Sequence, residues 1–325
     1  MGPLYTLGKT SIAVTPIGLG CWQFSRAKGL AGRYWPSIPQ ETVREIVKAT
    51  LNGGINWFDT AEVYGNGASE RSLAEALRAL GIEHDRYVLA DKWFPAFRFA
   101  GSIHTTFPER LRALDGISID LHQIHQPFSF SSVEEQVARM GELVRQGRIR
   151  GVGVSNFNAE RMRKAHARLG VEGLPLASNQ MRYSLIDREI ERNGVLDAAR
   201  ELKISIIAYS PLAQGLLTGK FHDGDSLRPT APRKWLKRFK PEGLAATAPL
   251  IRELRKVADA HDATPAQVAL AWVTRRHGEL VVAIPGASSV AQARSNAAAL
   301  GVTLTPAELD LLADAGTEAE QRLKG

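Results

Sequence analysis

Cysteine is nearly absent from the chain: Cys21 is the single one in 325 residues. An internal disulfide is thereby excluded, and a reducing compartment such as the cytoplasm is expected. Long apolar runs are missing too, and none approaches the roughly 20 residues that a membrane-spanning helix needs. The first twenty residues have no charged start, apolar core or small-residue cleavage site, so export is not expected. Charge of one sign is seldom concentrated. The net charge of +7 arises where bases and acids alternate, as in Glu160-Arg161-Met162-Arg163-Lys164 and Glu253-Leu254-Arg255-Lys256. Such stretches read as solvated helix faces and argue against a nucleic-acid partner. The exception is 228–240, where Arg228, Arg233, Lys234, Lys237, Arg238 and Lys240 gather, as in a solvated loop or a lid over phosphates. Finally, Gly18-Leu19-Gly20, Gly65-Asn66-Gly67 and Gly151-Val152-Gly153 all stop short of G-x-G-x-x-G, which speaks against a Rossmann domain. No metal is expected.

Hydrophobic residues at 44% and charged residues at 23% provide for an ordinary globular core. Short apolar runs predict strands at 16–20, 55–60, 87–92, 121–125, 151–155, 176–180, 204–210 and 281–285. Amphipathic stretches between them predict helices at 39–51, 69–80, 106–114, 133–146, 159–169, 190–202, 248–261 with 264–276, and 290–300. Ser69 and Asn158 stand where N-caps belong. Eight strand–helix units in alternation predict a closed (β/α)8 TIM barrel in one domain spanning 1–325. Residues 4–14, with Gly8-Lys9 between two short runs, predict a β-hairpin capping the bottom of the barrel. The segments 33–38 and 218–247 exceed ordinary connections, and long loops of that kind are often functional.

Strand residues alternate faces. Ile55, Trp57 and Asp59 should therefore share one face, as should Val88, Ala90 and Lys92, and Leu121, Gln123 and His125. Each row is mainly apolar and ends in an ionisable or imidazole group, the pattern of a packed barrel interior giving way to a catalytic mouth. His122 and Asp91 then point outward. With Tyr64 just above, a phenol, an ammonium, a carboxylate and an imidazole meet. A free phenol has a pKa near 10 and donates poorly at neutral pH. The Lys92 ammonium should lower it, Asp59 should keep Lys92 charged, and His125 should orient a carbonyl oxygen. Together they would stabilise charge growing on oxygen as hydride adds to a carbonyl. A barrel aldolase using Lys92 as a Schiff-base amine is a further use of the same residues.

These pieces carry a specific resemblance. Phe58-Asp59-Thr60-Ala61-Glu62-Val63-Tyr64-Gly65, the strand ending in Lys92, Gln123-Ile124-His125, Gly151-Val152-Gly153-Val154-Ser155-Asn156-Phe157, Tyr209-Ser210-Pro211-Leu212 and Ile284-Pro285-Gly286 resemble the aldo-keto reductases over essentially the whole chain. The resemblance implies Tyr64 as general acid, Asp59 and Lys92 as the pair that tunes it, and His125 as the carbonyl-orienting residue. It also implies a nicotinamide cofactor extended across the barrel mouth. Ser155, Asn156 and Gln180 are then expected at its carboxamide and Tyr209 against the pyridine ring. Ser210, Pro211, Leu212, Gln214 and Lys220 would face the pyrophosphate, and Cys21 and Trp22 the ribose side. Gly286, Ser288, Gln292 and Asn296 would surround the adenosine 2′-phosphate at a helix start.

Many relatives have a lysine near Gly286 and an arginine at position 292, where this chain has Gln292. A branch that includes channel-associated subunits has Ser and Gln there and draws charge from the loop after the seventh strand. Lys220, Arg228 or Arg233 would do that here, so NADP(H) is favoured over NAD(H). That branch also makes a cofactor-sensing regulatory subunit an alternative. Trp22, Trp93, Phe94 and Phe128 are expected to line a substrate pocket. With a last helix at 306–315 and a short tail, the mouth should be open to varied small-molecule aldehydes.

Overall fold

A computed structural model describes residues 3–26, 28, 36–223, 229 and 232–324. Two antiparallel strands, β1 (Tyr5–Thr6) and β2 (Ala13–Val14), precede eight parallel ones. These are β3 (Leu19–Gly20), β4 (Trp57–Asp59), β5 (Val88–Trp93), β6 (Leu121–Ile124), β7 (Gly151–Ser155), β8 (Leu176–Arg182), β9 (Ser205–Tyr209) and β10 (Val281–Ile284). Each strand pairs with the next, and bridges Ile17–Ala283 and Gly20–Gly286 join the first to the last. The sheet thus closes into the (β/α)8 barrel.

The helices are α1 (Gln40–Asn52), α2 (Ala68–Ala79), α3 (Ser102–Ala113), α4 (Val133–Arg145), α5 (Ala159–Gly170), α6 (Val195–Leu202), α7 (Pro241–Ala260), α8 (Pro265–Arg275), α9 (Val290–Ala298) and α10 (Pro306–Lys324). Local chemistry sets several ends. Asn158 caps α5 by accepting from Arg161 N–H at 2.9 Å, and Thr264 with Gln267 forms a capping box on α8. Ser69 is not a cap: α2 begins behind Gly67, and Ser69 Oγ, fully buried, donates to Cys21 O at 2.7 Å. α6 starts five residues later than the periodicity predicts, because Gly194 takes φ 81° before it. α10 runs to Lys324, well past the expected 315; Arg188 donates to Ala313 O, and Arg192 pairs with Glu320, buried near its end.

Side-chain direction follows the alternation in the barrel wall. Trp57, Val88, Ala90, Leu121, Ala177, Ile207 and Val282 fill the interior, closed below by Tyr5, Leu7, Ile12 and Val14 of the hairpin. Gly151 makes room for that plug, since a Cβ there would meet Ile12 Cδ1 at 2.9 Å. The opposite faces of the strands pack on the helices, where His122 meets the Phe107 ring edge-on at 5.5 Å. Ile55 is an exception to the expected row. The strand begins only at Trp57, and Ile55 packs outside with Ile17, Leu270 and Ala297.

The barrel wall is irregular at β8. Gly151 and Gly153 both face inward, and the β7–β8 register shifts between Val152 and Gly153. Ala177 lies in the interior core, yet Ser178 also faces in, beside Gly153 and Gln123. This bulge reverses the parity of the rest of β8. It turns Asn179 out toward Phe157 and Met162, and Gln180 in toward Asp59.

Candidate active site

The inward rows of β4, β5 and β6 end at one place. Lys92 Nζ is completely buried and contacts Asp59 Oδ1 in an ion pair. It also donates to Thr60 O at 2.8 Å and to the Tyr64 hydroxyl at 3.5 Å. The other oxygen of Asp59 accepts from Gln123 Nε2 at 3.0 Å and from Gln180 Nε2 at 2.9 Å. The carboxylate is therefore held by three barrel strands besides its own. Such full pairing is what allows a charge to stay buried. Tyr64 stands edge-on to His125, ring centroids 5.5 Å apart, with Trp22 stacked on its other side at 6.0 Å.

The electrostatics differ in one respect from the sequence expectation. Burial raises the Tyr64 phenol above its ordinary pKa, and the pull of Lys92 in the other direction does not overcome it. The phenol is thus kept as the proton-bearing form. Burial works against the Lys92 ammonium as well, but Asp59 and Tyr64 hold its pKa above the usual lysine value. His125 is driven well below the ordinary imidazole value by burial and by Lys92, so it is neutral. Among the described residues its buried Nδ1 has no hydrogen-bond partner. Cys21, between these groups, has its thiol pushed up by burial and by Asp59, which makes it an inert wall.

Glu62 fixes the loop that carries Tyr64. Its carboxylate, almost wholly buried, accepts from Phe94 N–H at 2.5 Å, Arg98 Nη1 at 2.7 Å and Arg110 Nη1 at 3.0 Å. One side chain thereby ties the Tyr64 loop to the loop of Phe94, whose ring stands edge-on to His125 at 5.8 Å. Sequence reasoning passed over Glu62; its place between Asp59 and Tyr64 was the available signal.

Tyr64 and His125 open into a cavity of about 1210 Å³ running across the barrel mouth. Of the residues expected to hold the cofactor, Cys21, Trp22, Asp59, Ser155, Asn156, Gln180, Tyr209, Ser210, Pro211, Leu212, Gln214, Lys220, Arg233, Gly286, Ser288, Gln292 and Asn296 all line it. Arg228 lies outside the described residues. Two pocket aromatics are corrected. Trp93 follows the inward Lys92 on the same strand, so parity turns its indole outward, where Nε1 donates to Ser102 Oγ at 3.1 Å. Phe128, beyond Pro127, is 55% exposed and lines no part of the cavity. Trp22 and Phe94 do line it, with Val63. Gln23, Gln126, Arg182 and Thr264 also line it and were not anticipated.

The lining suits an extended dinucleotide. Tyr209 donates its hydroxyl to Asn156 Oδ1 at 3.0 Å, which fixes its ring at the end of β9. Past it, Ser210, Ala213 and Gln214 all have positive φ and Gly215 has φ 94°. Non-glycine residues in that region are uncommon and cluster at ligand clamps. Lys220 and Arg233 flank this turn. Burial, and after it the neighbouring Arg233, lower the Lys220 pKa. At the start of α9, Gln292 Oε1 accepts from Ser288 N–H at 2.8 Å and Oγ at 3.0 Å, and Asn296 donates to Gly286 O. Gly286 must lack a side chain, since a Cβ there would stand 2.1 Å from Gln23 Nε2. Gln23 Oε1, buried at this wall, has no hydrogen-bond partner among the described residues.

A closed parallel barrel with a Tyr–Lys–Asp–His group at its mouth defines an oxidoreductase class. The chain belongs to the aldo/keto reductase family, whose sequence model matches residues 16–316. It is 43% identical over 303 residues to an uncharacterized oxidoreductase of Mycobacterium tuberculosis, covering 93% of this chain and 89% of that one. Among solved structures it is similar to the glycerol dehydrogenase of Gluconobacter oxydans, at 28% identity, TM-score 0.82 and coverage of 96% and 94%. It also resembles a Klebsiella pneumoniae aldo/keto reductase in complex with NADP and acetate, at 29% identity, TM-score 0.71 and coverage of 95% and 93%. The protein is accordingly an oxidoreductase acting on carbonyl or alcohol groups, and the cavity is consistent with a nicotinamide cofactor. Among the described residues, no helix is long and apolar enough to cross a membrane.

Proposed function

We propose that residues 1–325 form one NADP(H)-dependent reductase domain that converts small aldehydes or ketones to alcohols, with Tyr64 as general acid. The observation that carries this is the Tyr64 hydroxyl at the cavity floor, 3.5 Å from an ammonium that Asp59 keeps charged. A reduced nicotinamide bound there would supply the hydride. Tyr64 presents its proton to the carbonyl oxygen, and the ammonium behind it offsets the negative charge left on the phenol oxygen. Neutral His125 orients that oxygen through a ring N–H and adds no competing acid. Trp22 and Phe94 exclude water from the reacting carbon.

The residues also favour NADP over NAD. Lys220, Arg233 and Ser288 all line the cavity, where the one carboxylate among the described lining residues, Asp59, is paired with Lys92, suiting a phosphate-rich ligand. Release of Ser288 by Gln292 would free both donors for a 2′-phosphate. A cytoplasmic site fits the lone buried cysteine. The Schiff-base reading is not favoured, because Lys92 is held as an ammonium by Asp59 and is not poised as a free amine.

Tyr64→Phe tests the assignment. Turnover of an aldehyde panel with NADPH is expected to fall about a hundredfold or more, the range for a general acid. NADPH affinity, read by fluorescence quenching, should stay within about twofold of the parent, and the parent should bind NADPH more tightly than NADH. Near-parental turnover in this variant would remove Tyr64 from the mechanism.

A further inference from the structure

Gln126 follows His125 in the chain and lines the same cavity, yet it takes no part in the proton chemistry of Tyr64. Its side chain belongs to a short run of amides and hydroxyls whose polarity is decided by one backbone carbonyl. Gln180 O can only accept, so Ser155 Oγ, 3.0 Å away, gives its proton there. That hydroxyl oxygen lies 3.1 Å from the Asn156 side-chain amide and can only accept from it, which makes the near atom Nδ2. The second hydrogen of Nδ2 goes to Gln126 at 3.3 Å, so Gln126 presents its Oε1 to Asn156. Asn156 Oδ1 then faces Tyr209, whose hydroxyl donates to it at 3.0 Å.

The same reasoning fixes Gln180. Its Nε2 donates to Asp59 Oδ2 at 2.9 Å and to Gln123 Oε1 at 3.4 Å, which leaves Oε1 as the other end. Neither side chain makes a further hydrogen bond among the described residues. Gln126 Nε2 is therefore a donor, and Gln180 Oε1 an acceptor, without partners. Both hydrogens of Asn156 Nδ2, by contrast, are already committed. The two glutamines flank Asn156: one lies past β6 and the other in β8, while Asn156 ends the intervening β7 and its N–H donates to Gln180 O at 2.9 Å. Their depth is that of the reacting group. Gln180 holds Asp59, which pairs with the ammonium 3.5 Å from the Tyr64 hydroxyl.

A primary amide complements such a pair, because its oxygen accepts and its NH2 donates. In a nicotinamide dinucleotide whose reactive ring lies beside Tyr64, the carboxamide is the group at that end carrying both. Resting on the reductase reading above, we infer that Gln126 is a cofactor-binding residue, donating through Nε2 to the carboxamide oxygen while Gln180 Oε1 accepts from the carboxamide NH2. Asn156 is the brace that keeps the Gln126 amide turned this way, and its own N–H groups stay with Gln126 and Ser155. Holding the carboxamide at both ends fixes the rotation of the ring about its bond to the ribose, and with it the face that meets the carbonyl carbon.

The test titrates NADPH and 2′-phospho-ADP-ribose, which is the cofactor without its nicotinamide, by calorimetry into the parent, Gln126→Leu and Gln126→Glu. Leucine removes both ends of the amide, whereas glutamate keeps an acceptor for Asn156 and removes the donor. Both variants are expected to bind NADPH about tenfold or more weaker, on the scale of a hydrogen bond whose partner is left unsatisfied. Both should bind 2′-phospho-ADP-ribose within about twofold of the parent. Parental NADPH affinity in Gln126→Glu overturns the inference, whether Gln126→Leu is weakened through Asn156 or only the aldehyde KM has risen. Equal weakening of the two ligands assigns Gln126 to general support of the cavity and also overturns it. In each of these cases the reductase reading stands. A parent that binds NADPH but turns over no aldehyde or ketone removes that reading, while the titrations still decide the contact. A folded parent that does not bind NADPH removes both.

Discussion

Strand β5 places two buried charged residues back to back. Lys92 faces the barrel interior and Asp91 faces the helices, and each is completely buried. On the inner side every charge is answered: Asp59 is held by Lys92, Gln123 and Gln180, and Lys92 remains an ammonium. On the outer side Asp91 and Glu70 find no hydrogen-bond partner among the described residues for either carboxylate oxygen, and Arg110 Nε approaches Glu70 only to 3.5 Å. Burial raises both acids, with Asp91 adding to the rise of Glu70 and Arg110 pulling Asp91 back down. At the same depth one carboxylate has dedicated donors and the other two lack them, and burial pushes those two toward their protonated forms.

The largest test removes the inner cation. Lys92→Met leaves Asp59 buried beside two amides, and breaking such a pair costs about 3–5 kcal/mol. Urea denaturation should show that loss, and turnover should drop by about a hundredfold or more through loss of the charge behind Tyr64. If stability is unchanged, the inner pair is not what holds this part of the barrel together. Next comes Glu62→Gln, which keeps the shape and halves the grip on Arg98 and Arg110. We expect about a tenfold fall in kcat with NADPH affinity unaltered, on the scale of one hydrogen bond to a charged group. Parental kcat would show that the two loops hold their places without it.

Glu70→Gln probes the outer side through pH. Glu70 has a raised pKa in the folded protein against an ordinary value of 4.5. Above that ordinary value the unfolded chain releases a proton that the native state retains, so this group lowers stability as pH rises. The variant should lose that decline and melt about 2 °C or more higher at pH 8, with a smaller gain at pH 5, as read by a thermal shift series. A parallel melting profile would mean Glu70 is ionised in place. The smallest effect is expected for Asp91→Asn, a near copy of the protonated acid. Its stability at pH 6 should differ by about 0.5 kcal/mol or less, within the scatter of neutral substitutions.

What could be read beforehand depends on the range of each interaction. The parity of β4, β5 and β6 is a local property of the backbone, so the meeting of Asp59, Lys92 and His125 under Tyr64 was legible from spacing. The hairpin plug was legible for the same reason. Phe128 was not, because its exposure depends on where the loop past Pro127 leads. Trp93 was misread although parity alone turns it outward.

The sequence by itself determined the barrel, its hairpin cap, the chemistry at its mouth and the family, because each rests on short-range periodicity or on contiguous motifs. Tertiary structure decided three further matters. It made Tyr64 a weaker acid than its neighbour Lys92 alone would, since desolvation depends on everything packed around a group. It left Asp91 and Glu70 without donors, since partners come from distant elements. It aimed Gln180 and Arg182 inward, since a bulge exists only when one strand is laid against another.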